Sequence, residues 1–122
     1  MNLNQVTVAV DDFESSYKFY ENLGLIPIVK SDHYARFIVP GNDATFSIHK
    51  KVETFSETII YFECENLDDK VSELKEKGFE FIDGLEDKPW LWREVHLKDP
   101  EGNHICLYYA GENRLNPPWR IK

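Results

Sequence analysis

The sequence predicts an α+β fold in which two βαβββ modules share one chain, their curled mixed sheets form a cleft, and one helix packs on each sheet. Three observations predict it. A stretch of the first half repeats without gaps in the second, each copy ends at a glycine, and alternating runs with the period of strands follow each glycine. The chain reads as one domain over 1–122: module one about 3–50, a polar linker 51–58, module two about 59–110, and an extended tail 111–122.

In order along the chain, Gln5 to Gly24 (QVTVAVDDFESSYKFYENLG) aligns on Ile59 to Gly78 (IIYFECENLDDKVSELKEKG). Each copy opens with a strand, in which Val6, Val8 and Val10 correspond to Ile60, Phe62 and Cys64. Asp12 and Asn66 follow at matching helix N-cap positions, where a short side-chain oxygen can take up a free backbone N–H. The helices carry the same apolar stripe at i, i+4, i+7: Phe13, Tyr17, Tyr20 in one and Leu67, Val71, Leu74 in the other. Gly24 and Gly78 end them, glycine being the least strained residue in a left-handed C-cap.

Three strands are expected after each helix. In module one these are Leu25 to Val29, Tyr34 to Val39 and Ala44 to Lys50, the last two joined by the turn Pro40-Gly41-Asn42-Asp43. In module two they are Phe79 to Ile82, Arg93 to Leu97 and His104 to Tyr109, with an insertion near Gly84 to Pro89 and a turn at Asp99-Pro100-Glu101-Gly102-Asn103. The tail Asn116-Pro117-Pro118-Trp119-Arg120 is too proline-rich for helix or strand and should be extended. Trp119 is costly to leave in water and should dock on its own chain or a partner subunit.

Composition narrows the function. The chain of 122 residues suits one hydrophobic core, and its formal charge of −8 argues against nucleic acid, which needs a basic stripe. The acidic excess is compatible with a cationic ligand but serves solubility first. No apolar run reaches the roughly 20 residues of a membrane span, and, with neither a basic stretch nor a long apolar run at its start, no secretory leader is expected. Two cysteines, Cys64 and Cys106, do not make a disulfide framework, so a reducing, cytoplasmic setting is expected.

The paired units, the strand-Asp-Phe-helix-Tyr-x-x-x-Leu-Gly of the first half, and the Asp-Pro-Glu-Gly-Asn turn before the last strand resemble the vicinal oxygen chelate superfamily. That group includes glyoxalase I, extradiol dioxygenases, fosfomycin-resistance enzymes and bleomycin-resistance proteins, and the resemblance covers roughly Leu3 to Tyr109. It implies metal ligands on the first and last strand of each module, which fall here on Gln5, Ser47, Ile59 and Cys106. An amide, a hydroxyl, a hydrocarbon and a thiol make a poor divalent-metal set, so no metal is expected there. A shifted register would instead gather Gln5, His49, His104 and Cys106.

Strand parity points Gln5, Thr7 and Ala9 inward from one side and Ile59, Tyr61 and Glu63 from the other. Adding Ser47, His49, Cys106 and Tyr108 gives a pocket of mixed polarity with aromatic walls, and Trp90 and Trp92 either close over a ligand or wedge under their loop. The candidate ligand-binding residues are therefore Gln5, Thr7, Ser47, His49, Ile59, Tyr61, Glu63, Trp92, Cys106 and Tyr108. Cys106 is expected as a buried small hydrophobe rather than a reactive thiol.

The expected function is binding or sequestration of a planar or aromatic compound, without cofactor. The alternative is a lyase, isomerase or dioxygenase using one divalent metal ion. The expected partners are a small-molecule ligand and a second copy in a homodimer, with neither nucleic acid nor membrane.

Overall fold

A computed structural model describes all residues from Met1 to Lys122. Eight strands and two helices follow one another as β1 (Asn2–Val10), α1 (Phe13–Leu23), β2 (Ile26–Lys30), β3 (Tyr34–Ile38), β4 (Thr45–Lys50), β5 (Ile59–Glu63), α2 (Leu67–Glu76), β6 (Glu86–Asp87), β7 (Arg93–Lys98) and β8 (His104–Tyr109). The strands form one mixed sheet in the order β2-β3-β4-β1-β5-β8-β7-β6. Each module places its first strand parallel to its last, and the two first strands run antiparallel at the centre. The repeat in the sequence is thus a repeat in space, and β1 with β5 joins the modules edge to edge into one open sheet.

The two helices cover one face of the sheet. Phe13 of α1 packs with Ala35, Phe37 and Ile48, and Tyr17 and Tyr20 close the edge of that cluster. Leu67 and Val71 of α2 pack with Cys64, Val95, Leu97 and Leu107. These are the apolar stripes read from the helical period, meeting the alternate strand positions that face them. The other face curls around the cleft.

The ends of the two helices differ. Asp12 accepts a hydrogen bond from the Ser15 amide at 3.1 Å, and Gly24 closes α1 at φ 114°. Asn66 makes no such side-chain bond, so the second N-cap works through its backbone alone.

Three expectations on the connections require correction. Phe79 to Ile82 is not a strand. Only the Ile82 amide bonds to His96 O, at 2.8 Å, while the Asp83 carboxylate takes the His96 amide, at 2.8 Å, in place of a neighbouring backbone. The edge strand of module two is the two-residue β6 inside the insertion. The stretch 51–58 is more than a polar linker, because Val52 and Phe55 bridge and the Phe55 ring turns inward. The tail begins with a 3-10 turn, Gly111–Asn113, rather than running extended throughout, and the Ile121 amide pairs with Ile28 O at 2.8 Å along β2. That pairing carries Trp119 to the mouth of the cleft.

Candidate functional site

Between the two modules lies a cleft of about 580 Å³, within the usual range for small-molecule sites. Module one contributes Thr7 of β1, Tyr34 and Arg36 of β3 and His49 of β4, and module two contributes Tyr61 and the indoles of Trp90 and Trp92. Phe55 and Trp119 come from the segments 51–58 and 111–122. Both modules and both of these segments of the chain thus contribute to its lining. Leu91, at φ 70°, stands between the two indoles in a left-handed conformation that bulky residues rarely adopt, which lets Trp90 and Trp92 face the same cavity.

The aromatic walls are ordered by mutual packing. Trp92 stacks on Tyr108 with ring centroids 4.7 Å apart, and Tyr61 meets both rings edge-on at 5.8 and 5.5 Å. His49 of module one stacks on Phe55 at 4.6 Å, and Phe55 packs against this same cluster. Trp92 is only 3% exposed, whereas Trp90 and Trp119 are 39% and 45% exposed and form the rim. Burial, followed by the nearby Cys106 and Glu94, pushes the Tyr61 phenol well above its ordinary value, so it offers a proton to an acceptor.

Of the residues proposed from the sequence, Thr7, His49, Tyr61 and Trp92 line this cleft. The other six lie behind it. The Gln5 amide nitrogen donates to the hydroxyls of Ser47 at 2.7 Å and Thr7 at 3.0 Å, and its carbonyl oxygen accepts from Thr45. Ser47 also bonds to the Tyr34 hydroxyl at 2.8 Å. Ile59, Cys106 and Tyr108 sit with Tyr61 and Trp92 in one buried cluster, and Tyr108 donates to the side-chain oxygen of Asn4. Glu63 is a latch for the tail: it accepts from the amides of Ala110 and Gly111 at 2.8 and 2.9 Å and from Asn4 at 2.8 Å.

Parity correctly separates the two sheet faces but cannot show which side chains cover which. The wall residues absent from the sequence reading include Tyr34, Arg36 and Phe55, and Trp90, read there as either closing over a ligand or wedging under its loop, lines the cleft. The alternation that selected β1, β4, β5 and β8 extends equally to β3, where Tyr34 and Arg36 share a face.

The four positions where relatives hold a metal do not fit one here. Gln5 and Ser47 are occupied with each other, Ile59 has no donor atom, and Cys106 stands alone among them. Nor do Gln5, His49, His104 and Cys106 gather. His49 bonds to Lys50 O through Nδ1 at 2.7 Å, while His104 contacts His96 at 2.7 Å and Glu57 at 3.1 Å.

What Cys106 does meet is Glu94 and His96, on the same face of neighbouring β7. Glu94 Oε1 lies 2.9 Å from His96 Nε2 and 3.7 Å from Cys106 Sγ. Burial, then the Glu94 charge, pushes the Cys106 thiol well up, as expected of a protonated thiol donating to a carboxylate.

An internally repeated α+β sheet with a lined cavity between its halves is the architecture of this chain. More narrowly, this chain belongs to the Glyoxalase/Bleomycin resistance protein/Dioxygenase superfamily, whose family profile matches residues 2–107. It is similar to the uncharacterized protein YraH of Bacillus subtilis (strain 168), 26% identical over 88% of this chain and 98% of that one. The fold is also that of methylmalonyl-CoA epimerase from Mycobacterium tuberculosis, with TM-score 0.72, 21% identity, and coverage of 89% of this chain and 87% of that one. The Mn(II)-bound glyoxalase from Novosphingobium aromaticivorans superposes with TM-score 0.69 at 17% identity, over 89% of this chain and 38% of that longer one.

Proposed function

We propose that this protein binds a planar aromatic small molecule in the inter-module cleft and does so without a metal ion. The observation that carries this reading is the set of aromatic walls, fixed in place by stacking on Tyr108 and Phe55 before any ligand arrives. Rigid walls reduce the ordering cost of binding, and flat rings inserted between them gain offset-stacked contact. The internal hydrogen bonding of Gln5 with Ser47, Thr45 and Thr7 supports independence from metal, because a cation there would have to break that network for weak donors.

The test is a fluorescence titration of chelator-treated protein with a panel of bicyclic aromatic compounds. Saturable changes in tryptophan emission at one equivalent are expected. An intact fold that gives no response across the panel contradicts the reading.

A metal-dependent lyase, isomerase or dioxygenase is a second reading, favoured by one observation: the Glu94, His96 and Cys106 donors all lie within 4.8 Å of one another. Zinc bonds of about 2.0–2.3 Å give tetrahedral edges of roughly 3.3–3.6 Å, close to the separations here. These three side chains would hold the ion, which would supply Lewis acidity when bound. Tyr61 and Trp92 pack against Cys106 and line the cleft, so they would separate the ion from most of the cavity. Cobalt(II) titration decides between the readings. A thiolate-to-cobalt charge-transfer band that disappears in Cys106→Ser favours the metal centre, and its absence favours the metal-free cleft.

A further inference from the structure

The charges around the cleft run opposite to those of the chain. The protein carries −8 overall, yet no Asp or Glu lines the cavity, and its charged lining groups are Lys30 and Arg36, with the imidazoles of His33 and His49 beside them. Lys30 reaches Glu14 at 3.1 Å and His33 reaches Asp32 at 2.7 Å, both on the outer side.

Arg36 is different. It is only 2% exposed, and it has no carboxylate within ion-pair distance. Its bonds go to neutral acceptors: Nε donates to the Tyr34 hydroxyl at 3.0 Å, and Nη1 donates to the carbonyls of Asn113 and Arg114 at 3.3 and 3.0 Å. Those bonds account for three of its five N–H groups, and the Nη2 pair makes none of them. The guanidinium carbon lies over the Trp92 ring, 4.6 Å from its centroid.

A buried cation is costly unless it is paired. The other buried arginine of this fold, Arg114, faces Glu63 at 3.8 Å, so the chain does supply a carboxylate where the charge is purely structural. Arg36 has only carbonyl dipoles, a phenol and aromatic faces, and its remaining edge opens onto a cavity of about 580 Å³.

We infer that the cleft selects an anion: an aromatic carboxylate whose ring lies against the exposed rim indoles, Trp90 and Trp119, and whose carboxylate takes the open edge of Arg36. This rests on the aromatic-cleft reading and deepens it by naming the ligand class. The neutral Tyr61 phenol faces the same space and adds a donor. The cationic ligand that overall charge suggested is thereby disfavoured, since the local lining and not the net charge decides what enters.

The test compares 2-naphthoate with 2-naphthamide, which have the same shape and differ in charge, by calorimetry on chelator-treated protein. Charge-assisted hydrogen bonds predict that naphthoate binds at least about tenfold tighter. Arg36→Gln should erase that preference, bringing the two affinities together, and Arg36→Lys should recover part of it. Equal or tighter binding of naphthamide by the unaltered protein overturns the anion inference and leaves the aromatic cleft standing. Binding of neither compound overturns both. The unaltered protein decides the matter even where an Arg36 variant fails to fold.

Discussion

The buried polar side chains of the cleft face are mostly committed to one another. Gln5 is the clearest case, since its amide satisfies three hydroxyls at once. Gln5→Ala should therefore lower stability by about 1–3 kcal/mol, the cost of stranding buried hydroxyls, and denaturant unfolding measures it. Both thiols are buried, and burial raises each above its ordinary value. Ellman's reagent should find no reactive cysteine in the native protein at pH 8 and two after unfolding; one fast native thiol would contradict the assignment of Cys106 as protonated and enclosed. At the Asp-Pro-Glu-Gly-Asn turn, hydrogen bonds from Asn103 hold the Asp99 carboxyl below its ordinary 3.8. Its folded value is the lower one, so the stabilisation is present above 3.8 and is lost as pH falls through that lower value. The Asn103 amide resonance should accordingly titrate with a midpoint below 3.8, and a midpoint at or above it would contradict the turn geometry.

At the scale of elements, what period and punctuation encode is legible in the sequence. The stripes Phe13-Tyr17-Tyr20 and Leu67-Val71-Leu74 meet the sheet, and the strand beginning at His104 follows its turn directly. Phe79 to Ile82 shows where the pattern misleads. A short apolar run has no way to announce that Asp83 will supply the bond a strand would have made. The caps show a second limit, because Asp12 and Asn66 occupy equivalent positions and only Asp12 uses its side chain. Asp12→Ala should cost about 1 kcal/mol and Asn66→Ala much less, a contrast that paired thermal melts resolve. The cleft itself was legible only in part. Parity found Thr7, His49 and Tyr61, but the positions of Arg36, Phe55 and Trp119 depend on contacts between segments far apart in the chain, which no local pattern records.

For the whole molecule, the open sheet has consequences beyond the cleft. Its end strands, β2 and the two-residue β6, are partly unpaired, and Ile26 on β2 is half exposed. Edges of this kind are commonly covered by a second copy. Light scattering at micromolar concentration should therefore give a dimer, and a monomer alone would contradict that expectation. No helix is long and apolar enough to cross a membrane. The duplication places two equivalent half-sheets around one cavity while their side chains have diverged: module one supplies a hydroxyl network and a cation, module two the stacked rings and the Glu94–His96–Cys106 cluster. A crystal structure of chelator-treated protein soaked with 2-naphthoate is the most direct check. Density for the bicyclic ring in the cleft against Trp90 and Trp119, with no ion in the cavity, is the predicted result. An ion at Cys106 coordinating the compound, or density only outside the cleft, would contradict the metal-free aromatic site.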